Sequence, residues 1–131
     1  MEITDLIGQF YSQLWNQWDD ELVDELLDET FEFRGSLGQS THGRDGWRSY
    51  RDQIRVGSPD FHNEILSLVC DENHGAARLQ YRGTHTGPLL GIAPTGRAFT
   101  YAGAAFFEAS NGYLISAWVL GDLENLRSQL Q

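Results

Sequence analysis

Two long alternating segments joined by a tight turn constrain this chain more than any other feature. Ala98 to Ala109 and Tyr113 to Leu120 each read as a β-strand. Ser110-Asn111-Gly112 between them predicts a hairpin, because asparagine and glycine reach the positive φ that such turns require. Ile65 to Cys70 and Ala77 to His85 are two further strands, with Asp71, Glu72, Asn73 and Gly75 supplying their turn. No helical pattern separates these strands, so the C-terminal half reads as an antiparallel meander and not as βαβ units.

The N-terminal half is helical. Leu6, Ile7, Phe10, Tyr11, Leu14, Trp15 and Trp18 follow helical spacing, with Thr4 as a plausible cap. Leu22, Val23, Leu26 and Leu27 form a second short stripe, and the acids of WDDELVDELLDET read as its solvated face. Phe31 and Phe33 alternate with polar residues in a short strand, followed by the polar, glycine-rich loop GSLGQSTHGRDG. Trp47, Tyr50 and Ile54 mark a third helix with Arg44, Arg48, Arg51 and Arg55 mostly outward, closed by Gly57-Ser58-Pro59. Leu123, Leu126 and Leu130 give the tail one apolar side. The class is α+β, with helices on one face of a strongly bent sheet, and 131 residues suit one domain.

Nineteen acidic against nine basic residues give a formal net charge of -10, which argues against nucleic acid and anionic membranes as partners. No apolar run is long enough to span a bilayer, and the acidic start carries no signal-peptide pattern, so a cytoplasmic location is expected. The single cysteine, Cys70, excludes an intrachain disulfide and a thiolate metal cluster; its setting, ILSLVC, predicts a buried thiol.

Strand parity places the candidate chemistry. Ala77, Leu79, Tyr81, Gly83 and His85 share one face of their strand, so His85 ends the apolar row. Asp122 continues the side of Trp118 provided no bulge intervenes. A buried Asp122 would be a usable general base near neutrality. It also directly precedes a helix-like segment, where aspartate is a preferred cap. His85 is either an acid or oxyanion donor, or a strand-end histidine bonded to a loop carbonyl. His42 and His62 flank loops within reach of the same region. Trp118 is the aromatic residue placed at a ligand; Tyr81, Phe33, Trp15 and Trp47 are candidate pocket walls, the two tryptophans also having helix-core spacing. The histidines do not form a one-turn helical metal pair, there is no nucleophile elbow, and TGPLLGIAPTG lacks a phosphate loop's lysine. That last stretch, within Thr84 to Thr100, is too rich in proline and glycine for a helix or central strand, yet too apolar for a plain solvent loop.

From Tyr81 onward, the run Thr86-Gly87, Leu89 to Ile92, Pro94-Thr95-Gly96, the Asn111-Gly112 hairpin, Trp118, Asp122 and the leucine tail resembles the SnoaL-like polyketide cyclase family of the nuclear-transport-factor-two-like fold. The resemblance implies a cone: a curved antiparallel or mixed sheet, of cystatin-like or α+β-barrel type, wrapped against three N-terminal helices and open at one end to a hydrophobic pocket. It implies a cofactor-free and metal-free cyclase or isomerase, acting on a small hydrophobic polyketide-like carbonyl compound, with Asp122 as acid/base. Leu89 and Ile92 would then lie at the pocket mouth. Homodimerisation through part of the Ala98–Leu120 sheet is also expected. The chain departs from the family pattern at Ala117, where relatives often have glutamate or histidine, and in YAGAAFFEAS, which has Glu108 but no histidine. His85 is the spatial substitute considered for that missing partner. Two other outcomes stay open: a hydrolase or epoxide-opening enzyme drawing on Glu32 or Glu64 as second acid, and a binding or scaffold protein in which Asp122 is only a cap.

Overall fold

The computed structural model describes residues 1–131, built on one six-stranded sheet. β1 (Leu27–Arg34), β2 (Ser40–His42), β3 (His62–Cys70), β4 (His74–Thr84), β5 (Ala98–Ser110) and β6 (Tyr113–Gly121) lie in the order β2-β1-β6-β5-β4-β3. β3 to β6 form the expected antiparallel meander. β1 runs parallel to β6, so the sheet is mixed, and it stays open at both edges. β2 arises inside the polar loop and pairs with Glu32 to Arg34; three residues are too few for alternation to announce them.

α1 (Ile3–Gln9), α2 (Val23–Leu26) and α3 (Gly43–Gly57) are the N-terminal helices, and α4 (Leu123–Leu130) closes the chain. The first helix is not regular to its end. It passes into a π-helical stretch, Phe10–Trp15, where the Asn16 N–H donates five residues back to the Tyr11 carbonyl at 2.9 Å. Glu2, not Thr4, holds its N-cap position. α2 is a single turn following a 3₁₀ turn at Asp20–Leu22, whose start is capped by Asp19 accepting from the Glu21 N–H at 3.1 Å.

The core joins the helices to the inward rows of the sheet: Leu79 and Tyr81 from β4, Phe99, Tyr101 and Phe107 from β5, Leu114 and Val119 from β6. The parity read for β4 holds, and β5 alternates in the same way. In β6 it breaks: Leu114 pairs with Ala109 and Ser116 with Glu108, leaving Ile115 as an extra residue. After this bulge Ala117 and Val119 face inward while Trp118 and Leu120 face outward.

Two sequence expectations are corrected. Cys70 is exposed, because β3 is an edge strand and its last residues have nothing packed over them. Arg51 is buried: its guanidinium bonds to Asp20 at 2.7 Å and lies over the Trp47 ring at 5.4 Å. With Arg48, which reaches Asp20 at 3.0 Å, it draws part of the acidic segment onto α3 instead of leaving it free in solvent. The Arg51 bond, chiefly, holds the Asp20 carboxyl below the usual carboxylate range.

Candidate functional site: a small aromatic cavity

Between the concave face of the sheet and the helices lies a cavity of about 20 Å3, room for a single water molecule. Its apolar wall includes Phe10 and Trp15 of the π-helical stretch, Phe33 of β1, Ile54 of α3, Phe61 and Val119. Its polar groups are Tyr11, Tyr50, Tyr81, Ser36 and Asn63. No carboxylate, imidazole or cation is among its lining residues.

The phenols are seated by close approach of glycine backbone. A Cβ on Gly35 would come within 2.0 Å of the Tyr50 ring, and one on Gly103 within 2.3 Å of the Tyr81 ring. The glycine at the centre of β5 thus leaves the space that the Tyr81 ring occupies. Tyr50 Oη accepts from the Leu37 N–H at 3.1 Å, and Ser36 Oγ bonds to Tyr101 Oη at 2.9 Å. The Asn16 side-chain amide accepts from the Asn63 backbone N–H at 2.8 Å and donates to the Asn63 carbonyl at 2.9 Å, tying the end of the π-helical stretch to the start of β3.

Burial pushes the hydroxyls of Tyr11, Tyr50, Tyr81 and Tyr101 above the usual phenol value. After burial, Tyr11 and Tyr50 raise Tyr81 further. At neutral pH the cavity therefore presents uncharged hydrogen-bond donors and no general base.

The proline- and glycine-rich segment lies elsewhere. The N–H groups of Thr86 and Gly87 both donate to the Gly57 carbonyl at the end of α3, at 3.1 and 3.0 Å. Leu89 and Ile92 exchange backbone hydrogen bonds across Leu90 and Gly91, both left-handed, in the geometry of a primed hairpin turn. Leu89 is buried there and Leu90 half-buried. With Leu37 and with Ser49, Gln53 and Val56 of α3 they line an open groove of about 670 Å3. α3 thus separates two spaces, the groove on its outer side and the cavity, through Tyr50 and Ile54, on its inner side.

His85 organises that segment from within. It is fully buried; Nδ1 accepts from the Thr95 N–H at 3.2 Å and meets Thr95 Oγ1 at 2.9 Å, which leaves Nε2 to donate to the Ile92 carbonyl at 3.2 Å. Both ring nitrogens are therefore engaged by the loop, and His85 is not a cavity residue.

Asp122 is exposed at the N-cap of α4, its carboxylate accepting from the Asn125 N–H at 3.2 Å. It continues the Trp118 side as read from sequence, but that side is the outer one. Trp118 stands 45% exposed beside Phe106, under the Arg34 guanidinium at 4.9 Å. His42 is exposed and pairs with Glu32; His62 sits opposite Arg82 on the other side of β3 from Asn63; Glu64 is exposed. Trp47 is fully buried between Phe10 and Trp15 without lining the cavity. Of the residues singled out from sequence, the structure gathers Trp15, Phe33 and Tyr81 at the cavity. Tyr11, Tyr50, Ser36 and Asn63 escaped notice there; the helical spacing of Tyr11 and Tyr50 marked them as core, and a hydroxyl's bonding state has no local signature.

The model of the SnoaL-like polyketide cyclases matches residues 5–130. The chain belongs to this family. Among solved structures, a Jannaschia sp. CCS1 protein provisionally described as a SnoaL-like polyketide cyclase superimposes with a TM-score of 0.88 at 16% identity, over 97% of this chain and 90% of that one. TsrD from Streptomyces laurentii gives 0.85 at 24% identity over 98% and 93%, and IdmH from Streptomyces antibioticus, provisionally described as a polyketide cyclase, 0.83 at 25% over 97% and 96%. No curated protein matches the sequence. These likenesses carry the curved-sheet α+β fold of the family across the whole chain; no helix is long and apolar enough to cross a membrane.

Proposed function

We propose that this polyketide cyclase-family chain binds a small, neutral, hydrophobic carbonyl compound at the cavity, whose free space admits the carbonyl oxygen and whose aromatic wall parts to seat the rest, and promotes its cyclisation or isomerisation by hydrogen bonding to that oxygen. One observation carries this reading: the cavity lining combines aromatic walls with neutral O–H and amide groups and includes no carboxylate, imidazole or cationic side chain. As a C–H bond beside the carbonyl breaks, its electron pair moves onto the oxygen, where the Tyr50 and Tyr81 hydroxyls stabilise the charge. In a 1,3-dicarbonyl compound the proton passes to the second carbonyl or to water, so the enol forms without a protein base. The enol carbon then bonds to the carbon of a further carbonyl; the enol O–H releases its proton as its own carbonyl re-forms, and the acceptor oxygen takes up that proton. Asp122, engaged at the α4 N-cap, serves stability in this scheme. A hydrolytic reaction is less supported, because Glu32 and Glu64 lie exposed and form no facing pair.

The test is exchange of the α-protons of 1-tetralone in deuterated water, followed by NMR. Accelerated exchange that falls at least tenfold in Tyr81→Phe supports the proposal. Loss of acceleration in Asp122→Asn, with Tyr81→Phe unaffected, sinks it in favour of an aspartate base. Binding without acceleration supports the second reading, a small-molecule binding protein, which the position of Asp122 as a helix cap favours.

The homodimer belongs to the same proposal. Phe106, Trp118 and Leu120, each about half exposed, form an apolar patch on the outer face of β5 and β6. Light scattering of the wild type is expected to show a dimer and that of Trp118→Glu a monomer; a wild-type monomer at micromolar concentration removes the dimer from the proposal.

A further inference from the structure

We infer that Tyr11 is the residue by which the cavity selects a carbonyl oxygen. This rests on the proposal that the cavity is the ligand site, and adds to it the group that discriminates a ketone from the corresponding hydrocarbon.

Tyr11 Oη is buried and has no hydrogen-bond partner within the protein. An unsatisfied buried hydroxyl costs free energy that a phenylalanine of the same shape would avoid. Three aromatic residues around the same cavity, Phe10, Phe33 and Phe61, carry no such group. The other two orphaned polar atoms, Thr41 Oγ1 and Trp47 Nε1, belong to residues that do not line the cavity. Among the cavity residues, Tyr11 is the one whose orphaned hydroxyl is completely enclosed.

The backbone supplies a second, independent observation. Tyr11 lies in the π-helical stretch, and of that stretch's other buried members Phe10 and Trp15 line the same cavity. A π-helical turn forms less readily than the α-helix it replaces and recurs at functional sites. Here its end is fastened to β3 by the Asn16–Asn63 pair. Edge-on contacts with Phe10 at 5.1 Å and Phe107 at 6.0 Å hold the ring from two sides. The hydroxyl is thus presented by a stiff ring on an irregular turn.

The chemistry of the recognised group follows. Burial keeps the phenol protonated, so it offers a donor and attracts no cation. The free space, about 20 Å3, matches one oxygen-sized group. A carbonyl oxygen entering there would accept from Tyr11, whereas a methylene would leave the hydroxyl unpaired and be rejected.

The experiment compares 1-tetralone with tetralin, its carbonyl-free analogue, by NMR titration against the wild type and Tyr11→Phe, with thermal unfolding of both proteins. The wild type is expected to bind the ketone about tenfold more tightly than the hydrocarbon, as one charge-free hydrogen bond plus a relieved orphan allows. Tyr11→Phe is expected to lose most of that preference, keeping only what Tyr50 and Tyr81 supply, and to unfold at the same or a higher temperature. Persistence of the full ketone preference in Tyr11→Phe overturns the inference. So does a lower unfolding temperature, which would mean that the hydroxyl holds the fold. A wild type that binds both compounds equally overturns the role of Tyr11 and leaves the cavity as a binding site; one that binds neither overturns the inference together with the site it rests on.

Discussion

Phe107 lies on the concave face of β5, packed edge-on against Phe10 and Tyr11, whereas Phe106, one residue earlier, stands 55% exposed beside Trp118. The two faces of the β5–β6 hairpin differ in the same way along its length. Inside are Tyr101, Ala105, Phe107 and Val119, packed around neutral hydroxyls; outside are Phe106, Trp118, Leu120 and, at the strand's end, Asp122. The residues that make the family motif conspicuous, Trp118 and Asp122, belong to the outer side. The polar groups that reach the enclosed space come mostly from elsewhere, from the first helix, α3 and β4. A motif can therefore identify a fold without marking the chemistry inside it.

The largest test of this contrast removes one aromatic ring from each face. Phe107→Ala should cost about 3–5 kcal/mol in unfolding free energy, the range for a large core truncation. Phe106→Ala should cost less than about 1 kcal/mol, as a partly exposed residue. Equal losses in urea unfolding would mean that the outer face is covered as tightly as the inner.

Alkaline titration comes next. Tyr11, Tyr50, Tyr81 and Tyr101 have folded-state pKa values raised above the unfolded value, so their contribution to stability is complete below about pH 10 and is lost as pH rises beyond it. Each such group would lower stability by about 1.4 kcal/mol per pH unit in that limb. Phenolate absorbance should show these four silent until the chain unfolds cooperatively. Gradual ionisation of all of them in a folded chain would show that the cavity admits solvent.

A smaller effect separates Asp122 from the interior. Asp122→Ala should lose about 1 kcal/mol as a missing helix cap, while Asp122→Asn, an equally good cap, should stay within a few tenths of the wild type. Affinity for 1-tetralone should be unchanged in both. A fall in affinity in the asparagine variant would bring Asp122 back to the ligand.

The smallest effect lies in acid. The Asp20 pKa is depressed, first by its bond to Arg51, so that pair stabilises the fold above the unfolded carboxylate value near pH 4 and is lost as pH falls through the lower folded value. Asp20 is exposed enough for salt to screen the pair. Arg51→Met should flatten the acid limb of stability slightly, and an unaltered limb would show that the Asp20–Arg51 bond contributes nothing in solution.

Much of the fold was legible because alternation is a local property. The row Ala77, Leu79, Tyr81 and His85 is buried as its parity required, and Asn111 and Gly112 turn the hairpin with positive φ as their chemistry allows. The side of β6 was not legible. Periodicity of two says which residues share a face, but not which face is concave, and the bulge at Ile115 reassigns Leu114 to the inner row. His85 shows the same division: its place at the end of the apolar row could be read, while its engagement with Thr95 and the Ile92 carbonyl depended on how the following loop folds back. Residue order and chemical type alone determined an α+β chain with a C-terminal meander, an apolar helical face and a polyketide cyclase-family motif. Tertiary structure alone decided that Asp122 caps a helix and that Tyr11, Tyr50 and Tyr81 meet around one small cavity. The physical reason is range: strand parity and turn chemistry act over a few residues, whereas a cavity is made where distant segments fail to fill the space between them.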